Sequence, residues 1–593
     1  LAVRVVSRVR EALGVEAALG AVFERPVLAD FAARLRGAEA GPGGDRAIPV
    51  RTDGAQPPLF LVHEGTGSVA YAQVLLPHLD SGFPVYALPR VSAAGPPLRT
   101  IEGMAARLVR MIREVQPAGP YRLAGWSFGG VLAYEAAAQL LGRDEAVEFV
   151  GMLDTFHPAA ARAGAGEAGH EHALLLRMLR MGEGAEADAG PGPGEEAAAA
   201  EGDLEAFVGR CRERGLLPGH VTVAHAREMR DRLRAHLSAL REYFPQPIPV
   251  PVHLFPAAES PAPDRRRGWQ AVLPDASLRV APVPGTHLSM LEAENARELG
   301  AALSRALGAA AGSRKPLPED RYAPLVTLRF GRGGVPLFCV PGAGASVASF
   351  AELAGCLDPA RPVHAFQPRG LDGDMVPHAT VPAAAELYLR ALREAHPAGP
   401  VHLLGHSFGG WVAFEMARRL RAAGRPVASL TLLDSEAPDA DDAQVAEYDA
   451  REAFLKLVEV FELAAERSLE IRPEEIDSPD EDARLGLLHE RLVRLGVLPR
   501  RSGSDVLRGP FRTFSTSLRA TYRPAGGYSG KLRLVLVSDP RYDVGANQSK
   551  FAETVRGWGC WAPDLDFCVG TGNHMTALKR PHVADLALRL TVG

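Results

Sequence analysis

Two serines of this chain stand in the same setting, Gly125-Trp126-Ser127-Phe128-Gly129 and Gly405-His406-Ser407-Phe408-Gly409. A serine hydroxyl is a poor nucleophile until a neighbouring imidazole takes its proton, and that imidazole needs an acid to fix its tautomer. Both follow each serine. Asp154 and Asp434 come 27 residues after their serines, and the histidines come later, in Gly285-Thr286-His287-Leu288-Ser289-Met290 and Gly572-Asn573-His574-Met575. The residue types and the chain order Ser, Asp, His point to acyl transfer through a serine ester. For the second set Asp539, in Val537-Ser538-Asp539-Pro540-Arg541-Tyr542-Asp543, is an alternative acid; the first set has Pro256-Ala257-Ala258-Glu259 there. One rule serving both sets favours Asp154 and Asp434.

Acyl transfer also needs donors aimed at the developing oxyanion. The backbone N–H of Phe128 or Phe408, next after the nucleophile, is one candidate. Gly65 and Ala343, at equivalent places in Gly-rich turns, are the other. His63 has no counterpart in the second set, where Pro341 stands, and reads as structural. His406 flanks its serine where the first set has Trp126, and reads as packing.

The elements that must position these residues occur twice. Residues 59–69 align with 337–347, Pro117-Ala118-Gly119-Pro120 recurs as Pro397-Ala398-Gly399-Pro400, and the serine motif and Leu153-Asp154 keep the same offset of 280. A period that long means a duplicated domain, each copy owning its core, and not a solenoid repeat. Within each copy, short apolar and β-branched runs alternate with helical patterns, which predicts a parallel sheet covered by helices. The expected strands are 47–51, 59–63, 85–88, 121–125, 148–153, 250–255 and 277–281, then 325–330, 337–340, 363–366, 401–405, 429–433, 531–537 and 566–569. Each serine falls between a strand and a helix, the first of these helices running from Val131 to Leu141, which is the nucleophile elbow of the α/β-hydrolase fold. The fifth and sixth strands of each copy are separated by a polar, helix-rich insertion of about 90 residues, longer than an ordinary connection and a candidate lid.

At 593 residues the chain is too long for one core, and its 47% hydrophobic and 23% charged content is that of a globular protein. A net charge of −5 leaves no basic stripe, which excludes nucleic acid as an expected partner. The run Arg265-Arg266-Arg267 reads as a solvated loop. Cys211, Cys339, Cys356, Cys560 and Cys568 have no paired spacing, so neither a disulfide framework nor a metal site is expected, and a reducing cytoplasm suits them. No basic-then-apolar leader opens the chain and no apolar run approaches the roughly 18 residues a membrane helix needs, so no membrane partner is expected.

The stretch Pro117 to Gly130, Pro-Ala-Gly-Pro-Tyr-Arg-Leu-Ala-Gly-Trp-Ser-Phe-Gly-Gly, resembles the core motif of the terminal thioesterase domains of nonribosomal peptide and polyketide synthases. Gln367-Pro368-Arg369-Gly370-Leu371 resembles another of that family's motifs. The resemblance covers 46–307 and 321–593; the first copy departs from it at Glu64 and Thr66, where the family commonly has Pro and Gly, and at Val91. Residues 1–36 resemble the end of a peptidyl carrier domain, with helices at Val3–Leu13 and Val27–Leu35, starting just after the serine that bears phosphopantetheine. Linkers are expected at Gly37–Arg46 and Gly308–Tyr322. The resemblance implies a fragment from the end of a larger synthetase, with upstream modules and their carrier domain as partners. It implies no directly bound cofactor, because the substrate arrives on a phosphopantetheine arm whose attachment serine lies outside this sequence. It further implies transfer of a peptidyl or acyl chain to Ser127 or Ser407, then release by water or by an internal nucleophile that closes a macrocycle. One copy could instead proofread or only dock the carrier, and a free-standing esterase or lipase would carry the same three residue types.

Overall fold

The computed structural model describes residues 46–90, 98–160, 204–217, 221–260, 264–310, 322–438, 447–478 and 480–591, with scattered positions before residue 33 and among 175–179. Most of the carrier-like helices, Val91 and most of both linkers lie outside the described residues. Residues 308–310, expected as linker, complete the helix Ala293–Ala310. The chain divides into two compact units at residues 315 and 316.

Among the described residues the first unit holds seven strands, β1 (Ile48–Arg51), β2 (Leu59–Val62), β3 (Val85–Leu88), β4 (Tyr121–Trp126), β5 (Val147–Leu153), β6 (Val252–Phe255) and β7 (Leu278–Val280), in the order β1-β3-β2-β4-β5-β6-β7. The second holds β8 (Leu325–Arg329), β9 (Leu337–Val340), β10 (Val363–Phe366), β11 (Val401–His406), β12 (Val427–Leu433), β13 (Leu532–Leu536) and β14 (Leu565–Val569), in the matching order β8-β10-β9-β11-β12-β13-β14. Among the described residues only the first strand of each sheet is antiparallel, β1 against β3 and β8 against β10. These are two tandem α/β-hydrolase domains. The central strands read as unbroken apolar runs because helices cover both faces: all of β2 and β4 is buried, and so is all of β9.

The helix Phe128–Leu141 follows β4 with every residue but Gln139 buried, so it is apolar all round rather than amphipathic. Its one carboxylate, Glu135, is satisfied by the Tyr243 hydroxyl at 2.8 Å and by Gln139 at 2.9 Å. The second unit repeats the device, with Tyr522 donating to Glu415 at 2.7 Å and Arg418 and Arg419 closing on the same carboxylate. Tyr243 and Tyr522 stand where each insertion returns to the sheet, so each insertion is tied to the helix that carries the nucleophile. The insertions contain helices Leu204–Glu213 and Val223–Arg241 in the first unit, and Ala450–Ala465, Glu481–Arg494 and Arg508–Arg519 in the second.

Candidate active site

Ser127 and Ser407 cap the carboxyl ends of β4 and β11 with left-handed backbones, φ 56° and 54°. A non-glycine residue holds such a conformation only when its surroundings impose it. Here the serine N–H donates to the last carbonyl of the neighbouring strand, Leu153 or Leu433, at 2.9 Å in both units. The flanking glycines are there for space. A Cβ on Gly125 or Gly405 would strike the carbonyl of Gly129 or Gly409, and one on Gly129 would lie 2.5 Å from the His63 carbonyl oxygen. Gly129→Ala is therefore expected to cost about 2–3 kcal/mol by overpacking against backbone, read as a lowered unfolding midpoint of the first unit together with loss of Ser127 labelling by a fluorophosphonate.

His287, in the loop after β7, brings Nε2 to 3.0 Å from Ser127 Oγ and Nδ1 to 2.7 Å from Asp154 Oδ2. Asp154, at the end of β5 with φ 42°, is fully buried. Burial alone would raise its pKa, but the hydrogen bond and charge of His287, the Ala257 N–H and Arg267 outweigh that and hold the carboxyl below its ordinary value. In the second unit His574 Nδ1 lies 2.7 Å from Asp434 Oδ2, while no hydrogen bond joins Nε2 to Ser407 Oγ among the described residues. Such contacts often tighten only with substrate bound. The carboxylate against His574 is that of Asp434. Asp539 instead binds Arg541, at 3.0 Å from Nε and 2.7 Å from Nη2, and Asp543 caps the helix Val544–Gly559.

The residues flanking the serines hold the histidines in place. Trp126 Nε1 donates to the His287 carbonyl at 3.1 Å, and His406 Nε2 reaches the His574 carbonyl at 2.8 Å. Burial pushes His406 down to about 3, so the ring is neutral and can serve as this donor. Both residues thus do more than pack. Trp126→Phe, measured with Ser407 replaced by alanine, is expected to lower kcat/KM for a thioester by up to about tenfold, the value of one hydrogen bond, with the fold intact.

The N–H groups of Phe128 and Phe408 open their helices, where no helical carbonyl precedes them to accept. Gly65 and Ala343 also donate their N–H to no carbonyl among the described residues. A negatively charged oxygen beside either serine could take these donors. In the first unit the turn is stiffened by Glu64, whose carboxylate accepts the Thr66 N–H at 2.6 Å and the Thr66 hydroxyl, while Arg232 of the insertion donates to the Thr66 carbonyl. Glu64 and Thr66, the departures from the family pattern, are therefore partners of each other. His63 is buried, bonded through Nδ1 to the Glu64 carbonyl at 2.9 Å, and lowered by burial to about 4. Beside Ser407 opens a pocket of about 500 Å³, lined among others by Ala343, Trp411, Tyr448, Phe514, Tyr522 and His574.

The reading of Arg265-Arg266-Arg267 as a solvated loop holds for Arg266, which pairs with exposed Asp275, and fails for Arg267. Arg267 is 3% exposed, with Nε 2.9 Å and Nη2 2.8 Å from Asp154 Oδ1. Sequence reasoning also missed Trp269 and Trp558, buried rings that hold the carbonyls of Thr155 and Ser435, each next after the acid, at 2.9 and 2.8 Å. It missed His236 as well, which stacks on Phe128 at 4.2 Å from the insertion. None carries a local signal, because each partner is more than 100 residues away.

Among known proteins the chain is similar to the dimodular nonribosomal peptide synthase of Bacillus subtilis (strain 168), at 41% identity over 159 residues, 26% of this chain and 7% of that one. It is similar to malpinin synthetase of Mortierella alpina at 40% identity over 171 residues, 28% of this chain and 2% of that one. The chain thus spans a small part of the length of these relatives. Among solved structures it is similar to the NocB thioesterase domain from the nocardicin cluster, at 26% identity over 43% of this chain and 95% of that one, with a TM-score of 0.31. The Thioesterase domain family matches residues 57–307 and 335–478, once in each unit. Two sheets of one order, each with a serine elbow and a histidine bonded to the acid at the end of the fifth strand, and a family match spanning both: the chain belongs to the thioesterase domain family.

Proposed function

We propose that each unit releases a peptidyl or acyl chain from a carrier-protein thioester in nonribosomal peptide synthesis, through an acyl-enzyme on Ser127 or Ser407. The observation that carries this reading is the unbroken chain from Ser127 Oγ through His287 to buried Asp154. His287 takes the hydroxyl proton as the oxygen attacks the thioester carbonyl, Asp154 holds the imidazole and balances its charge, and the proton passes to the leaving thiolate. The N–H groups of Gly65 and Phe128, and of Ala343 and Phe408, receive the tetrahedral oxyanion. His574 and Asp434 act likewise for Ser407. The likeness to peptide synthetases supports a carrier-borne chain as substrate and upstream modules as partners. On this reading residues 1–36 are the end of a carrier domain, followed by thioesterase units at 46–307 and 321–593. The first unit, nearest that carrier remnant, performs the main release, by cyclisation, and the second hydrolyses stalled chains; a short tether raises the local concentration of the carried chain. The protein needs no bound cofactor for this chemistry. The test is incubation with a carrier-mimicking peptidyl thioester, with product masses separating linear acid from macrocycle. Absence of thiol release with both serines intact would overturn the reading.

A further inference from the structure

The geometry assigns Arg267 as a positioning residue that sets the pH at which the first site works: it fixes the rotation of the Asp154 carboxylate and draws off part of its charge, so that His287 becomes a competent base at lower pH than it would without Arg267. This inference rests on the proposed roles of Ser127, His287 and Asp154.

Three observations carry it. First, the two oxygens of Asp154 are divided between partners, Oδ2 to His287 at 2.7 Å and Oδ1 to the Arg267 fork and the Ala257 N–H at 3.0 Å. Second, the ion pair is dry, with side-chain exposures of 1% for Arg267 and 0% for Asp154, so its field on the imidazole is little screened. Third, Arg267 is held from several sides. Nη2 donates to the Ala257 carbonyl at 2.9 Å, Nη1 donates to the Asp264 carbonyl at 3.3 Å, the guanidinium lies over the Phe156 ring at 4.9 Å, and the Arg267 carbonyl accepts the His157 N–H at 2.8 Å.

The surroundings of the two acids differ. Around the first pair, Glu259 accepts the Gly285 N–H at 3.2 Å, and Asp264 turns its carboxylate to the Arg266 and Gly268 N–H groups and to Gln270. Around the second, Asp434 is 22% exposed in its side chain and its Oδ1 accepts only the Val537 N–H, at 3.3 Å, among the described residues. Lys550 faces Asp434 but is half-exposed and paired with Glu436 at 3.2 Å; Asp539 is neutralised by Arg541, and the His406 ring lies 4.9 Å from that of His574. A carboxylate beside a histidine raises its proton affinity, and a buried cation on the same carboxylate reduces that effect. The sign follows: with Arg267 in place the imidazole of the first site gives up its proton at lower pH than without it.

The experiment is the pH dependence of fluorophosphonate labelling of the full chain, with the labelled Ser127 and Ser407 peptides quantified separately by mass spectrometry. Arg267→Met should move the Ser127 midpoint up by about one pH unit and leave Ser407 where it was, whereas Arg267→Lys, which keeps the charge, should restore most of the shift. A purely structural role would lower Ser127 labelling equally at every pH. The proposal is overturned by an unmoved midpoint in Arg267→Met, or, should that variant not fold, by an unmoved midpoint in Arg267→Gln, which keeps a donor to Asp154 and removes the charge. No labelling of Ser127 at any pH would instead overturn the reading of the site itself.

Discussion

Replacing Ser127 and Ser407 together by alanine is expected to leave both units folded and to reduce thioester release to background, a loss on the order of 10⁶-fold if both sites act as proposed. The hydroxyls lie at strand ends where β4 and β11 meet their helices, and the Ser127 hydroxyl bonds His287 and no backbone group among the described residues. Alanine also accepts the position poorly but no worse than serine does, since both carry a Cβ at positive φ. Circular dichroism and the thermal midpoint should therefore change little while release vanishes. The single variants divide the labour. Ser127→Ala should remove the cyclised product and most of the rate on a carrier-fused substrate, leaving slow hydrolysis by Ser407. An unchanged rate and product ratio in Ser127→Ala, with release abolished in Ser407→Ala, would reverse the assignment.

Almost as large a loss should follow from Asp154→Asn, measured with Ser407 replaced by alanine. An amide cannot balance an imidazolium, and to keep Arg267 satisfied through its oxygen it must turn its NH₂ toward His287, which selects the wrong tautomer. The expected fall in kcat is on the order of 10⁴-fold. Asp434→Asn, with Ser127 replaced, should cost the second site a comparable factor. Asp539→Asn should cost it little, because its carboxylate already belongs to Arg541. A collapse of the second site in Asp539→Asn, with Asp434→Asn active, would move the acid to the loop after β13.

The strands were legible because burial on both faces writes itself as short apolar runs: Leu59–Val62 and Leu337–Val340 start where their periodicity starts. Ser127, Asp154 and His287 were legible because their order along the chain follows from where a parallel sheet places strand ends. Arg267 was not. A triplet of arginines beside Pro261 and Pro263 has the composition of a solvated loop, and only the fold shows that the third turns inward to an acid 113 positions earlier. Glu64 was visible only as a departure from pattern, since its role is to bind Thr66 and brace a turn, and neither residue alone implies the other. The two tryptophans that hold the carbonyls after the acids come from different elements, a turn at Trp269 and the helix Val544–Gly559 at Trp558, so alignment of the copies does not reveal their equivalence.

The separation of 160 positions between Ser127 and His287 has a consequence in time. At ordinary synthesis rates of about 5–20 residues per second, roughly ten to thirty seconds pass between the serine and the histidine leaving the ribosome. Strands β1 to β5 can assemble in that interval, because they precede the long insertion and their pairings span it nowhere. A finished elbow can thus exist on a nascent chain that has no base to arm it. On the proposed mechanism, reactivity toward thioesters switches on only when β6 and β7 have joined the sheet, and the first unit reaches that stage while the second is still being made.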